Sequence, residues 1–428
     1  MPKGNKLTEE KSMKKFLALL LAAVLVFSFA ACSGSKDDTT TSAPADSTGS
    51  ANTDVDYSKV KVGLICLHDE NSTYDNNFIQ ALKDTQAKLG LKDEQVLIKT
   101  NIPEDDSCLK AAQELADAGC NVIFADSFGH ETFIMEAAKE FPEIQFCHAT
   151  GTHAKTAELK NFHNAFAAIY EGRYLAGVAA GMKLNEMIKD GKIKAEEAVI
   201  GYVGAFSYAE VVSGFTSFFL GARSVCESAT MKVTYTNSWF DIALEREAAL
   251  SLIKDGCVLI SQHADSEGAP KACEEKGVPN VAYNIDTSSM GPNTALISSK
   301  INWSPYYEIM INAVAKGEEI PTDWCGTLET GSVQLTKLNE KVAAEGTQKA
   351  IDEVMAKLEK GEIKVFDTAT FTVKGEKLDS YKADVIPDEK FEKDTEVVKD
   401  GAFHESDVEG MRSAPYFDIM YIDGISEK

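Results

Sequence analysis

The sequence lacks the short motifs that most often mark a catalytic or metal-binding centre. It has no Gly-x-Ser-x-Gly nucleophile turn, no Gly-x-x-x-x-Gly-Lys phosphate loop and no His-Glu-x-x-His pair. None of its nine cysteines forms a Cys-x-x-Cys pair or a Cys/His cluster, so a zinc or iron–sulfur centre is not expected. A metal site built from His68, His130 and His263 is an alternative that no spacing supports. We therefore predict a protein without enzymatic activity, cofactor or metal.

Positive charge is also scarce. The chain carries 43 Lys and Arg against 67 Asp and Glu, a formal net charge of −24. Removal of residues 1–31 takes away five lysines and two glutamates and leaves a formal charge of −27. Nucleic acids and anionic membrane surfaces are polyanions, so neither is expected to bind this chain through its overall charge.

The one long apolar run lies near the start of the chain. Lys14 and Lys15 precede an uncharged run at 16–29, and two alanines then stand directly before Cys32. A basic start, a short apolar segment and small residues at the end are typical of a secretory signal. Small residues directly before a cysteine are the bacterial lipoprotein arrangement, in which acyl chains such as palmitate are attached to the sulfur. The run is too short to span a bilayer, which favours a cleaved signal at 1–31 over a retained signal anchor.

Cys32 is accordingly predicted to be the first residue of a lipid-anchored, extracytoplasmic protein. Residues 32–58 contain no aromatic or large aliphatic side chain before Val55. Such a segment cannot bury enough apolar surface to offset the entropy of ordering, so we expect a flexible polar tether. The eight later cysteines give no disulfide framework by their spacing, and whether any of them pair stays open at this point.

From Val60 onwards the chain alternates apolar runs of strand length with amphipathic segments of helix length. Strands that are apolar on both faces and separated by helices indicate parallel sheets covered on both sides. The alternation restarts at a long predicted helix, 171–188, which indicates an α/β chain with two doubly wound lobes. The predicted divisions are a first lobe at 59–168, to which part of 286–330 returns, a second lobe at 169–285, and a C-terminal extension at 331–428 packed on the lobes.

The loops that follow the predicted strands hold the candidate binding residues, because ligands of such sheets bind outside the carboxyl ends of the strands. These loops place aromatic rings beside amides and carboxylates, an arrangement suited to a flat ligand with hydrogen-bonding edges. Tyr74 and Trp239 are the best ring candidates, since each lies in an otherwise polar turn. Phe128 is a further candidate, although core packing is the favoured role for this ring.

Three aspartates in these loops have two possible roles each. Asp241 stands just before a predicted helix, where an N-cap role is favoured, and Asp75 stands in the same setting with both roles open. Asp286 follows an apolar strand, where a polar anchor for a ligand is expected.

From Val60 to about Trp324 the chain resembles the basic-membrane-protein (BMP) family of lipoprotein solute-binding proteins. The resemblance rests on the order and spacing of Ser72-Thr-Tyr-Asp75, Phe128-Gly129, Glu171-Gly-Arg-Tyr-Leu-Ala-Gly177, Val203-Gly-Ala-Phe206, Gly221-Ala-Arg-Ser224, Asn237-Ser-Trp-Phe-Asp241 and Asn302-Trp-Ser-Pro-Tyr-Tyr307. It implies a type I periplasmic-binding-protein fold with a hinge, which captures purine nucleosides for an ABC permease.

The resemblance also implies roles for single residues. The two family positions whose aromatic rings clamp the purine fall on Tyr74 and Trp239. The polar residue after the first ring is Asp75, and the acidic residue that holds the sugar or the base edge corresponds to Asp286. Asn77 and Phe128 complete the predicted set of ligand-binding residues.

Two departures from the family pattern leave the ligand open between a purine nucleoside, a free purine base and another flat heterocycle. Leu67-His68-Asp69 replaces the usual aspartate at the end of the first strand, and Asn302-Trp303 resembles a subgroup associated with free nucleobases. A surface sensor or adhesin on the same fold is an alternative function. A nucleoside hydrolase is disfavoured, because only Asp69 and Asp75 stand near the first strand, where such an enzyme needs a cluster of carboxylates for a metal.

Overall fold

The apolar runs after Val60 form two sheets, one in each lobe. The computed structural model describes residues 55–386, 395–406 and 411–428; the predicted signal, Cys32 and most of the predicted tether lie outside them. The first sheet has six parallel strands, in the spatial order Asp323–Gly326, Phe162–Ala167, Gln145–Ala149, Val122–Ala125, Val62–Ile65 and Val96–Lys99.

The second sheet has seven strands. Their spatial order is Val333–Leu335, Ala295–Ile301, Asn280–Tyr283, Leu259–His263, Val199–Gly204, Thr230–Tyr235 and Ile425–Glu427. All of its pairings are parallel except that of Val333–Leu335. The second sheet therefore continues past residue 285, where the second lobe was expected to end, because strand Ala295–Ile301 pairs with Asn280–Tyr283.

Helices cover both sheets, as the alternation in the sequence indicates. The helices of the first lobe are Thr73–Leu89, Asp106–Asp117, Glu131–Glu140 and Ser304–Lys316. Those of the second lobe are Ile169–Lys189, Ala209–Val225, Ile242–Lys254 and Gly268–Lys276. No helix among residues 55–386, 395–406 and 411–428 is long and apolar enough to cross a membrane. The two-lobe α/β architecture agrees with the one expected from the sequence.

The described chain passes between the two sheets three times, at 167–169, 301–304 and 326–333. These connections are bonded to one another. The Ala168 amide donates to the Gly326 carbonyl at 2.8 Å, and the Asn302 amide donates to the Ser332 carbonyl at 2.7 Å. Three adjoining backbone segments form a hinge, about which the lobes can rotate as rigid bodies.

Trp303 follows the second of these connections and belongs to the core of the first lobe. It is almost fully buried and stacks on Phe78, with ring centroids 4.2 Å apart. The Asn302-Trp303 motif, which suggested a nucleobase ligand, therefore lies in the hinge and core rather than in the cleft.

The C-terminal extension packs mainly on the second lobe. Its helix Thr347–Glu359 lies against helix Ile169–Lys189. Three two-stranded hairpins follow, formed by Thr372–Val373 with Glu376–Lys377, Lys382–Ala383 with Thr395–Glu396, and Val398–Lys399 with Ala402–Phe403. The extension ends as strand Ile425–Glu427 at the edge of the second sheet.

Candidate functional site

A cavity lies between the carboxyl ends of the two sheets. Both lobes contribute to it, and its polar and aromatic side chains come mostly from the loops that follow the strands. It is lined by Leu67, His68, Tyr74, Asp75, Ser127, Phe128, Thr150, Glu210, Trp239, His263 and Asp265.

Tyr74 forms the aromatic wall on the first lobe. It lies in the first turn of helix Thr73–Leu89, which is capped by the Ser72 side chain. The phenol donates to the Asp126 carbonyl at 2.8 Å, and its ring packs against Phe78 with centroids 4.9 Å apart. These contacts fix the ring before any ligand binds.

Trp239 lies on the second-lobe side of the same cavity. Its ring packs edge-on against Phe206 at 5.0 Å and lies 6.0 Å from Tyr208. Asn237, two residues earlier, has a φ of 56°, and this left-handed turn follows strand Thr230–Tyr235. Asparagine tolerates this conformation better than most residues, which accounts for the sharp turn into the cleft.

Asp75 is buried at the edge of the cavity and is tightly bonded. It accepts from the His68 amide at 2.8 Å and from the Ser72 hydroxyl at 2.6 Å. Burial opposes its ionisation, but hydrogen bonds from His68 and Ser72 outweigh that effect and hold its pKa below the ordinary value.

Behind Asp75 lies a second buried acid. Side-chain atoms of Cys66, Asp75 and Asp126 lie within 4.8 Å of one another. Burial, followed by the charge of Asp75, raises the pKa of Asp126 well above its ordinary value. A protonated Asp126 beside an ionised Asp75 explains how two carboxyls share this buried space.

Asp265 and Glu210 bring two further acids to the cavity from the second lobe. Asp265 accepts from the Asn284 side-chain amide at 3.1 Å, and Glu210 lies 3.3 Å from Nε2 of His263. Burial, with a further contribution from Arg173, lowers the pKa of His263 to about 4, so this imidazole is neutral at pH 7. Burial raises the pKa of Asp265, and the nearby Glu245 adds to the effect.

The two lobes are in contact across the cavity, so the structure shows the cleft in a closed conformation. The Thr73 amide of the first lobe donates to the Asp265 carbonyl of the second at 2.8 Å. Ring contacts join His68 to Phe240 at 5.3 Å and Phe128 to Tyr208 at 5.6 Å. Phe128 and Tyr208 are 42% and 47% exposed, so this pair forms the outer rim.

Four of the six residues expected to bind ligand have a place at or near this cavity. Tyr74, Asp75, Phe128 and Trp239 line it, and Phe128 is a rim residue rather than a core residue. Asp241 is an N-cap, as its position indicated, and accepts from the Ala243 and Leu244 amides at 2.9 Å.

Asn77 and Asp286 are not brought to the cavity. Asn77 faces the hinge, where its side-chain amide donates to the Ile301 carbonyl. Asp286 is exposed and accepts from the Ser288 amide at 2.8 Å, which stabilises a surface turn. The polar group that strand Asn280–Tyr283 places near the cleft is instead Asn284, which bonds Asp265.

Glu210, His263 and Asp265 are the principal lining residues that the sequence analysis did not select. His263 and Asp265 lie at and just beyond the carboxyl end of strand Leu259–His263, whereas Glu210 lies in the first turn of helix Ala209–Val225. The position of these residues near predicted strand ends was a usable signal.

Comparison with known proteins gives a family match over most of the chain. A family model described as the PnrA-like ABC transporter substrate-binding protein (Bmp) matches residues 62–368. A purine-binding protein of Brucella abortus is 33% identical over 332 residues, which is 75% of this chain and 89% of that protein. A putative ABC transporter glucose-binding protein of Haloferax volcanii is 35% identical over 233 residues, which is 54% of this chain and 56% of that protein.

Solved structures show the same fold at low identity. An ABC transporter solute-binding protein from Aeropyrum pernix has a TM-score of 0.60 and 16% identity, covering 72% of this chain and 93% of its own. Another from Conexibacter woesei has a TM-score of 0.57 and 19% identity, covering 71% of this chain and 98% of its own.

Proposed function

Because the chain belongs to the PnrA-like family of ABC transporter substrate-binding proteins, we propose that its cavity captures a purine base or nucleoside for an ABC permease. The family is one of solute-binding proteins without enzymatic activity, which act outside the cytoplasm. To this family role the proposal adds that the ligand is a purine. The relative from Brucella abortus, described as purine-binding, supports it.

The observation that carries the proposal is the presence of Tyr74 and Trp239 in one narrow cavity with carboxylates around them. A planar heterocycle can lie against aromatic rings while its edge nitrogens bond to Asp75, Glu210 and Asp265. The closed lobes exclude water from these bonds, which strengthens them.

Calorimetric titration tests the proposal directly. The protein is unfolded, dialysed to remove any bound molecule, refolded, and titrated with adenine, adenosine and glucose. We expect heat of binding with at least one purine compound and none with glucose, the ligand named for the relative from Haloferax volcanii. Binding of glucose alone would overturn the proposal.

We further propose that a lipid on Cys32 attaches the protein to the outer face of the cell membrane. The support is the residue pattern at 14–32, where a basic start, an apolar run and two alanines lead to the cysteine. Expression in a bacterial host with radiolabelled palmitate should label the wild type and not Cys32→Ser. Equal labelling of both proteins would contradict lipidation at this residue.

A further inference from the structure

We infer that the cavity selects amino-substituted purines over oxo-substituted purines, an inference that rests on the proposed function. The basis is an imbalance between hydrogen-bond acceptors and donors around the space for the ligand edge. Three carboxyl groups, those of Asp75, Glu210 and Asp265, line a cavity with no lysine or arginine among its described lining residues. The two imidazoles of the lining face these acids, with Nε2 of His263 3.3 Å from Glu210 and Nδ1 of His68 3.4 Å from Asp75. The Trp239 indole N–H is the remaining side-chain N–H in the lining.

The hydroxyl donors in the lining are already used within the protein. The Tyr74 phenol donates to the Asp126 carbonyl, and the Ser127 hydroxyl donates to Glu104 at 2.6 Å. The Thr150 hydroxyl donates to the Ala149 carbonyl. These groups can offer a ligand only their oxygen lone pairs, which adds to the excess of acceptors.

The nearest buried cation does not correct this imbalance. Arg173 lies behind the lining, where its guanidinium is 3.5 Å from the centre of the Tyr283 ring and donates to the Gln262 carbonyl at 2.9 Å. It moderates the negative charge of the cleft without facing the ligand.

A ligand that presents N–H groups at its edge satisfies these acceptors, whereas one that presents carbonyl oxygens places acceptor against acceptor. Leaving buried polar groups unpaired is more costly than losing a neutral contact. Adenine and 2,6-diaminopurine carry exocyclic amino groups at positions where hypoxanthine and xanthine carry oxygens. The four compounds have nearly the same shape, so the comparison isolates hydrogen bonding.

Titration with these four bases tests the inference. We expect adenine and 2,6-diaminopurine to bind at least about tenfold more tightly than hypoxanthine and xanthine. Equal or tighter binding of the oxo-purines would overturn the inference while leaving the proposed function standing. Failure of all four to bind, together with adenosine, would instead count against the proposed function.

Two amide variants identify the residues responsible. Glu210→Gln replaces a carboxylate oxygen by an N–H donor and should reduce the preference for amino-purines severalfold. Asp265→Asn replaces a carboxyl group whose pKa is raised by burial, so it should reduce the preference less. The matched control is Glu267→Gln, a carboxylate outside the cavity that pairs with Lys271. An unchanged ratio of affinities in both cleft variants, or the same change in the control, would overturn the assignment of these residues.

A second inference comes from a different part of the chain. The family match ends at residue 368, and several described residues after it reach the mouth of the cleft. A wider outer space adjoins the cavity there and is lined by His153 of the first lobe, Tyr208 of the second lobe, and Asp384, Arg412 and Pro415 of the extension.

The extension is anchored on the second lobe. Besides the strand Ile425–Glu427, the Arg223 guanidinium donates to the Asp423 carbonyl at 2.9 Å. The Lys428 ammonium lies 2.9 Å from the Asp255 carboxylate. Rotation of the lobes about the hinge therefore carries the extension with the second lobe.

The extension also contacts the first lobe. The Ser413 amide donates to the Asp323 carboxylate at 3.1 Å, and the Lys155 ammonium donates to the Met411 carbonyl. Asp323 belongs to the edge strand Asp323–Gly326 of the first sheet. Opening of the cleft must stretch or break these two bonds, whereas the anchors on the second lobe stay intact.

We propose that residues 411–415 act as a clasp that stabilises the closed conformation.

Fluorescent dyes on non-natural residues at exposed positions 92 and 194 report the distance between the lobes. In the double variant Lys155→Ala/Asp323→Ala, we expect a longer mean distance without ligand and severalfold faster dissociation of adenine. The matched control is Lys428→Ala, which removes an ion pair between the extension and the second lobe. Wild-type distance in the double variant, or an equal change in the control, would overturn the proposal.

Discussion

We expect ligand affinity to depend more directly on Trp239 than on any other single side chain. Its replacement by alanine removes one aromatic wall and leaves a gap beside Phe206, with which it packs. We expect Trp239→Ala to weaken purine binding by about 2 kcal/mol or more, because buried aromatic anchors dominate such sites. Calorimetry measures the change, with Asp286→Ala as the control that should bind like the wild type. Undiminished affinity in Trp239→Ala would remove this ring from the site.

Glu245 gives a prediction about pH. Its buried carboxylate accepts from the Ser266 amide at 3.1 Å and from the Asp241 amide at 3.1 Å, which fixes the loop carrying Asp265. Burial raises its pKa to about 7 from the ordinary 4.5. An acid with a raised pKa binds its proton more tightly in the folded state, so its contribution to stability falls as pH rises from about 4.5 to 7.

Glu245→Gln keeps the accepting oxygen and removes the titration. The free energy of unfolding of the variant, relative to wild type, should therefore increase between pH 5 and pH 8 by up to about 3 kcal/mol. Urea unfolding at the two pH values measures this difference, with the half-buried Glu267→Gln as control. A difference that does not vary with pH would contradict the assignment.

At the scale of residues, the sequence predicted the aromatic part of the site better than its polar part. Tyr74 and Trp239 stand out because large rings in polar turns have few structural explanations. Carboxylates in the same loops also serve as caps and turn anchors, so sequence position alone does not distinguish Asp265 in the cavity from Asp286 on the surface.

At the scale of elements, the second lobe depends on close contact between two long helices. An added Cβ at Gly221 of helix Ala209–Val225 would lie 2.0 Å from the Tyr174 carbonyl oxygen on helix Ile169–Lys189. A Cβ added at Gly177 of helix Ile169–Lys189 would lie at the same distance from the Phe218 carbonyl oxygen. Backbone atoms cannot move aside as a side chain can, so both positions require glycine.

We therefore expect Gly221→Ala to lower the free energy of unfolding by about 3 kcal/mol. The matched control is Gly172→Ala on the neighbouring helix, where the added carbon would meet a Val333 methyl group at 3.0 Å and the gain in helix propensity offsets the contact. Urea unfolding of the two variants measures the difference. Equal stabilities would show that the helices separate readily.

The elements themselves were largely predictable, because strands buried on both faces have a strong apolar signal. The first and last residues of these elements were less predictable. Helix Thr73–Leu89 begins where the Ser72 side chain accepts from the Asp75 amide, a detail that periodicity does not reveal. Strand Ala295–Ile301 could be found as an apolar run, but its sheet could not, because partner choice depends on contacts distant in the sequence.

At the scale of the molecule, we expect a fold that does not depend on disulfides. Of the eight cysteines among the described residues, seven are buried and carry no disulfide, and Cys325 is half-buried. We expect a reductant to leave the thermal unfolding midpoint unchanged. Native protein should react slowly with a thiol reagent at most of these sites, and unfolded protein should expose all eight. A lower midpoint after reduction would indicate a bond that this arrangement does not contain.

The two-lobe architecture followed from the restart of the alternation at residue 171, whereas the hinge and the path of the extension did not. Three crossings at 167–169, 301–304 and 326–333 join segments far apart in the sequence. The extension has short strands and irregular segments, so its packing is set by tertiary contacts such as those of Glu405 with the Tyr416 and Phe417 amides.

The strand Ile425–Glu427 has a consequence for how the molecule is made. It supplies the neighbour of strand Thr230–Tyr235, almost two hundred positions earlier. A nascent polypeptide must hold that flank of the sheet unpaired until residues 425–427 have been synthesised. Completion of the second sheet therefore waits for these residues, and chaperones that shield unpaired strand edges have the longest opportunity to act there.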